Sequence, residues 1–169
     1  KWNLARFAEC LIPLIDNDQK KAVQIATEII NTFEKKYEEK WVLMMKNKLG
    51  LIGYNNEDKG LILDLLTWMH QKKLDYTNTF LYLMNLDIEK NINFNDYEFK
   101  NWKKRWEKRL SNNSHTDEKY TEIMERNNPV VIPRNHIVEN ALNFANQGDL
   151  EPTVKLIDIL SKPYINHED

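Results

Sequence analysis

Residues 22–45 read AVQIATEIINTFEKKYEEKWVLMM, and their apolar side chains recur every three or four positions. This spacing places the apolar side chains on one face of an α-helix, because the helix turns once every 3.6 residues. Asp18 is placed to cap the start of this helix, and Gly50 and Gly53 interrupt the pattern at its end. The stretch therefore predicts one helix, about 40 Å long, that forms the spine of the fold and buries Trp41 on its apolar face.

The remaining segments show the same helical period. Only four Gly and five Pro interrupt the 169 residues, and the apolar side chains do not alternate with polar ones as they do in a half-buried strand. Pro13 is expected to kink or end the first helix, Asp75 to cap the fourth, and Gly148 to follow the end of the seventh. No repeat of fixed period is found, which argues against a regular helical solenoid. We predict an all-α fold, an irregular bundle of about eight helices.

Two of these helices carry the clearest core pattern. The segment 61–69 is apolar almost all round, which is typical of a helix buried on several sides. The helix that begins at Asp96 has one apolar face, made of Phe99, Trp102, Trp106 and Leu110. The Asn-rich stretch 91–95 and the polar stretch 111–116 are predicted to be a break and a linker.

The composition is typical of one soluble globular domain, with 41% hydrophobic and 30% charged residues and a formal net charge of -2. Cys10 is the single cysteine, which excludes an intramolecular disulfide and a multi-cysteine metal site. No apolar run approaches the roughly 20 residues of a membrane span. The patterned sequence starts at once after Lys1, with no initiator Met or signal peptide, and we interpret residues 1–169 as a single helical domain taken from a longer chain.

The sequence pattern indicates no metal or phosphate site. No two histidines are spaced i, i+4 to face one metal, and no glycine-rich loop is present to hold a phosphate. The four histidines are scattered along the chain, at His70, His115, His136 and His167. We therefore assign no catalytic, cofactor-binding or metal-binding residue.

The acidic pairs and the cysteine also have plain structural interpretations. Glu38-Glu39 and Glu57-Asp58 lie among other charged residues, where we expect solvated carboxylates with no catalytic role. Cys10 lies close to the apolar stripe of the first helix, and we expect a small buried side chain rather than a nucleophile.

The segment 100–109 mixes basic residues with Trp102 and Trp106, a combination that nucleic-acid-binding proteins use for phosphate contact and base stacking. Both tryptophans share a helical face with Phe99 and Leu110, however, so the period favours a structural helix with a solvated basic face. The sequence pI of about 6.1 also lacks the basic excess of such proteins. We expect no nucleic-acid partner.

Arg134, Asn135 and His136 open a helix directly after an apolar run. A helix N-terminus can bind an anion, and an arginine there could add a second contact. The alternative is that Arg134 and Asn135 tie the preceding loop to neighbouring carbonyl groups, and this is the interpretation we favour.

An ordered set of short motifs resembles the C-terminal part of the selenoprotein O family. The set runs Trp2-Asn3-Leu4-Ala5-Arg6-Phe7-Ala8, Lys48-Leu49-Gly50-Leu51, Leu63-Asp64-Leu65-Leu66, Asp75-Tyr76-Thr77-Asn78-Thr79-Phe80, Asn128-Pro129, Ile132-Pro133-Arg134-Asn135-His136, Gly148-Asp149 and Pro163-Tyr164. Each motif is weak by itself, but the ordered set spans nearly the whole chain.

The resemblance implies that these helices are the C-terminal portion of a larger protein-kinase-like fold. Members of the family are protein adenylyltransferases, which bind ATP in a flipped orientation and transfer AMP to protein hydroxyl groups with a divalent metal. The resemblance places the catalytic and metal-binding residues before Lys1, and a C-terminal selenocysteine or cysteine beyond Asp169. ATP and Mg²⁺ or Mn²⁺ are expected for the full-length protein, and no cofactor for these residues alone.

Two functional hypotheses follow. In the first, the chain is the catalytically inactive C-terminal helical segment of a selenoprotein O-like adenylyltransferase, with the N-terminal kinase-like lobe as its partner. In the second, it is a stand-alone helical module that binds another protein. The isolated segment could expose an apolar face and form a homodimer. We expect no membrane partner, and the bacterial cytoplasm as the location, with the mitochondrion as the alternative.

Overall fold

The structure is a computed structural model that describes residues 1–86, 94–111 and 117–165, without the side chains of residues 117–119. All regular elements within these ranges are α-helices, so the all-α prediction is confirmed. In chain order they are α1 (Trp2–Ile15), α2 (Gln19–Asn31), α3 (Phe33–Lys48), α4 (Asp58–Lys72), α5 (Tyr76–Leu83), α6 (Tyr97–Ser111), α7 (Asp117–Asn127), α8 (Asn135–Asn146) and α9 (Glu151–Ser161). The predicted break at 91–95 and linker at 111–116 lie mostly outside the described residues.

The helices fall into two compact units. The first unit is Lys1–Met44, which holds α1, α2 and most of α3. The second unit is Met45–Asp169, which holds the remaining helices. The single domain expected over residues 1–169 stays a prediction. Within the described ranges, no helix combines the length and the apolar character needed to cross a membrane.

The predicted spine is two helices rather than one, because Thr32 separates α2 from α3. The Thr32 hydroxyl donates to the carbonyl oxygen of Ile29 at 2.8 Å, and the Thr32 amide donates to the same oxygen at 3.1 Å. A hydroxyl that binds the backbone of the preceding turn competes with the regular helical ladder. This break raises the number of described helices from the expected eight to nine.

The spine also fails to bury its whole apolar stripe. Ala22, Ala26 and Met45 are buried, but Ile29 and Tyr37 are each about 60% exposed. Trp41 is only partly buried, so its predicted burial was wrong. The period located the helices correctly, but it did not show which parts of the stripe have a packing partner.

The two predicted N-terminal caps are confirmed. The Asp18 carboxylate accepts from the amides of Lys20 and Lys21 at 2.9 and 3.3 Å, and so caps α2. The Asp75 carboxylate accepts from the Asn78 amide at 2.8 Å and caps α5. Each carboxylate satisfies amides of the first helical turn that have no partner within the helix.

The core of the second unit lies where the sequence pattern placed it. α4 packs against α6, and the apolar face predicted from Asp96 onward is buried. The buried side chains on these two helices include Leu61, Ile62, Leu65, Trp68, Met69, Phe99, Trp102, Trp106 and Leu110. Trp102 Nε1 donates to the Leu61 carbonyl at 2.8 Å, and Trp106 Nε1 donates to the Leu49 carbonyl at 2.9 Å. Both indoles therefore bury their apolar surface while keeping a hydrogen bond for the N–H.

Gly50 ends α3 in a tight capping turn. Its φ is +67°, the Leu51 amide donates to the Lys46 carbonyl at 2.9 Å, and the Gly50 amide donates to the Asn47 carbonyl at 3.1 Å. This pair of bonds is the Schellman motif, which favours glycine because a Cβ is strained at positive φ. A Cβ at Gly50 would also lie 3.1 Å from the Tyr120 backbone oxygen and Cβ. The position thus requires glycine for its conformation and for its packing.

We predict that Gly50→Ala destabilises the protein more than Gly53→Ala. Gly53 has a similar φ of +73°, but a Cβ there would meet nothing within 4 Å. Gly53→Ala should therefore show only the conformational cost of about 1 kcal/mol, and Gly50→Ala roughly 1–2 kcal/mol more. Urea unfolding of both variants measures the difference. Equal losses would mean that α7 does not pack on Gly50.

Candidate functional site

A buried carboxylate, Asp58, lies at the first residue of α4 with 2% of its surface exposed. Its Oδ1 accepts from Arg109 Nε at 2.7 Å, and its Oδ2 accepts from Arg109 Nη2 at 3.3 Å. Lys46 Nζ lies 3.0 Å from the same Oδ2. The expectation that Glu57 and Asp58 are both solvated was therefore wrong for Asp58, because Lys46 and Arg109 bind it and Arg109 is 51 positions away in the sequence.

The two cations of this Asp58 cluster also bind the loop that follows α3. Arg109 Nη2 donates to the Ile52 carbonyl at 2.8 Å, and Lys46 Nζ donates to the Gly53 carbonyl. Lys46 is near the end of α3 and Arg109 is near the end of α6. The cluster therefore joins two helix ends, one helix start and the loop between residues 49 and 57.

A groove of about 550 Å³ lies beside the cluster. Side chains of both charge signs line it, including Glu57, Asp64, Arg105 and Lys108. Arg105 Nη2 is bound to Asp64 Oδ2 at 2.6 Å, and both of these side chains are more than half exposed. The groove therefore presents mixed, partly self-paired charge and does not select a ligand of one sign.

A second junction joins two motifs that are 80 residues apart. Lys48 Nζ donates to the Asn127 carbonyl at 2.8 Å and to Asn128 Oδ1 at 3.3 Å. Asn128 is buried, and its Nδ2 donates to the Lys48 and Met124 carbonyls at 2.9 Å each. The Lys48 ammonium also lies 5.4 Å from the Phe80 ring centroid, and burial lowers the pKa of Lys48. Lys48 and Asn128 therefore fasten the end of α3 to the end of α7.

A third junction joins Arg134, for which the sequence left open an anion-binding or a linking role, to the start of α5. Arg134 Nη1 donates to Asp75 Oδ2 at 2.6 Å, and its Nη2 lies 3.5 Å from Asn78 Oδ1. The anion that Arg134 binds is therefore the carboxylate that caps α5. A linking role for Arg134 was expected with carbonyl groups as partners, and its guanidinium links to the Asp75 carboxylate. Asn135 and His136 are exposed.

The other candidate residues are not brought together. His70 and His136 are exposed on α4 and α8, and His115 and His167 lie outside the described residues. Across residues 1–86, 94–111 and 120–165, no three histidine, cysteine or acidic side chains form a group that could hold a metal.

Cys10 is exposed on α1, where its Sγ donates to the Arg6 carbonyl at 3.5 Å. The expectation that it is buried was wrong for this structure. Trp102 and Trp106 are buried, as expected, so neither ring is open to stack on a base. The basic face of α6 is not wholly solvated, since Arg109 belongs to the Asp58 cluster.

We predict that Asp58→Asn destabilises the protein by about 3–5 kcal/mol, because it leaves two buried cations without their carboxylate. Asp64→Asn is the matched control, since Asp64 joins the same two helices through the exposed pair with Arg105. The loss of stability caused by Asp64→Asn should stay below about 1 kcal/mol. Urea unfolding at pH 7 compares the variants, and a loss below 1 kcal/mol for both would contradict the burial of the Asp58 cluster.

We predict that Asp75→Asn lowers stability at pH 7 by about 0.5–1 kcal/mol, because asparagine keeps the helix cap but loses the charge pair, which is about one-third exposed. The hydrogen bond from Arg134 holds the pKa of the Asp75 carboxyl below its ordinary value. The stabilisation is therefore complete above the unfolded pKa of about 3.9 and is lost as the pH falls through the lower folded pKa.

The difference in the free energy of unfolding between wild type and Asp75→Asn should accordingly shrink when urea unfolding is measured at pH values from 7 down to 3. Asp18→Asn is the control, because asparagine also preserves the cap of α2. A difference for Asp75→Asn that is independent of pH would show that Arg134 does not act through the carboxylate charge.

Comparison with known proteins identifies the family. The model of the family described as "Protein adenylyltransferase SelO" matches residues 1–161. A protein of Pelagibacter ubique named "Protein nucleotidyltransferase YdiU" is 52% identical over 165 residues, which are 98% of this chain and 34% of that protein.

Proteins of the same name give similar matches. The one from Alcanivorax borkumensis is 43% identical over 169 residues, or 99% of this chain and 35% of that protein. The one from a Bacillus cereus strain is 45% identical over 164 residues, or 96% of this chain and 34% of that protein. The chain spans about a third of the length of these curated relatives. Because the family model covers nearly every residue and the relatives are this similar, the chain belongs to the SelO protein adenylyltransferase family.

Proposed function

We propose that residues 1–169 are the C-terminal helical segment of a protein adenylyltransferase, and that the full-length protein transfers AMP from ATP to hydroxyl groups of protein side chains. The observation that carries this proposal is the family match over residues 1–161, together with relatives that are about three times as long. The partner of the segment is then the N-terminal kinase-like lobe of the same polypeptide. The relatives named above are bacterial proteins, which supports the bacterial cytoplasm as the place of action.

In the proposed reaction a protein hydroxyl oxygen attacks the α-phosphorus of ATP. The bond from this phosphorus to the bridging oxygen breaks, pyrophosphate leaves, and the hydroxyl proton passes to a base. A divalent cation, Mg²⁺ or Mn²⁺, offsets the negative charge that develops on the phosphates. In this proposal the metal ion and the reacting groups lie in the part of the full-length protein outside residues 1–169.

The role of this segment is to supply a fixed framework. The Asp58 cluster holds the loop after α3 against α4 and α6. The Lys48–Asn128 junction fixes the ends of α3 and α7, and the Arg134–Asp75 junction fixes the starts of α5 and α8. A reaction that depends on position benefits from such a framework, since small displacements of reacting groups reduce the rate steeply.

The proposal is tested by label transfer from ATP to protein in the presence of Mg²⁺ or Mn²⁺. We expect the full-length protein to incorporate label from the α-phosphate but not from the γ-phosphate, because AMP transfer retains only the former. Residues 1–169 alone should incorporate neither. EDTA is the control, and it should abolish incorporation.

The possible results have distinct meanings. Label from the γ-phosphate would indicate phosphoryl transfer instead. Label incorporated by residues 1–169 alone would reveal an active site within these helices. No incorporation from the α-phosphate by the full-length protein would contradict adenylyl transfer and favour the stand-alone helical module that binds another protein.

A further inference from the structure

The first unit has almost no core of its own. Among residues 1–44, only Ala22 and Ala26 are buried. Its large apolar side chains stay open, and Trp2, Phe7 and Leu14 are 72%, 62% and 82% exposed. Soluble proteins rarely leave a cluster of large apolar side chains uncovered unless the surface contacts a partner.

The exposed apolar side chains of α1 include a regular stripe. Phe7, Cys10 and Leu14 are spaced i, i+3 and i+7, so they are neighbours on one face of the helix. All three are exposed, whereas Ala8 and Ile15 of the same helix are half-buried and α1 packs against α2. Apolar residues that lie outside the buried face of a helix indicate that the helix has a second packing partner.

The charges next to this Phe7–Cys10–Leu14 stripe do not oppose an apolar partner. Arg6 and Glu9 are the charged residues of α1, and they form an ion pair with each other. The stripe can therefore be covered without leaving either charge uncompensated.

We infer that the Phe7–Cys10–Leu14 stripe docks against the part of the full-length polypeptide that lies outside residues 1–169, and that Cys10 is buried in that contact. The inference rests on the proposed function, in which this chain is one segment of a longer adenylyltransferase. About two-thirds of the length of the relatives lies outside the matched region, which is ample to cover the stripe. A surface on the same polypeptide is present at high effective concentration, so it is favoured over a second copy of the chain.

The test measures how fast iodoacetamide alkylates the peptide that contains Cys10, by mass spectrometry, in the native full-length protein and in the same protein unfolded in urea. The stripe lies on one helix, so a docked Cys10 reacts only when the contact opens. We expect alkylation in the native protein to be at least about 100-fold slower than in urea. Leu14→Glu places a charge in the contact and should restore most of the rate.

The matched control moves the thiol by one residue, with Glu9→Cys in a Cys10→Ala background. Position 9 is about 140–160° around the helix from Phe7 and Leu14, so its thiol should react quickly in the same native protein. Fast reaction at position 9 with slow reaction at Cys10 localises the protection to the stripe rather than to α1 as a whole.

Two results would overturn the inference. Alkylation of Cys10 in the native full-length protein at a rate near that in urea would show that the stripe is open. Protection that disappears when the protein is diluted would identify a second copy as the occupant. The measurement does not use AMP transfer, so a protein that is protected but inactive would refute the proposed activity and leave the docking surface in place.

Discussion

The second unit depends on the burial of one carboxylate, Asp58, between two cations. A buried charge is tolerated only when its partners and hydrogen bonds replace the water that it has lost. Arg109 and Lys46 supply that replacement, and they also donate to the Ile52 and Gly53 carbonyls. The ionic contact therefore fixes the loop that follows α3, and it sets the end of α3 against α4 and α6.

One arrangement recurs in the Asp58 cluster and in the Lys48–Asn128 and Arg134–Asp75 junctions. In each of them a cation near the terminus of one helix binds groups at the terminus of another helix. Lys48 binds Asn127 and Asn128 at the end of α7, and Arg134 binds the cap of α5. Several motifs that carry the family resemblance thus meet in space, although the paired residues are 59 and 80 positions apart in sequence. The side chains of these motifs therefore join the termini of different helices.

The sequence was sufficient where a feature depends on a few neighbouring residues. The apolar face of α6, the caps at Asp18 and Asp75 and the stop at Gly50 each arise within one or two helical turns, and all of them are confirmed. The burial of Asp58 could not be found in this way, because its main partner is 51 positions distant. Its neighbours Glu57 and Lys59 are polar, so the local pattern indicated a solvated turn.

The exposure of Cys10 shows the other limit of periodicity. An apolar stripe shows that a helix face avoids water, but it does not show what covers that face. In the second unit α4 and α6 cover each other with large aromatic and aliphatic side chains. In the first unit the buried side chains are two alanines, which contribute little apolar area, while tryptophan, phenylalanine and leucine side chains stay exposed. Burial of large side chains provides most of the stabilisation of a helical unit. These forty-four residues carry large apolar side chains but bury few of them within residues 1–169.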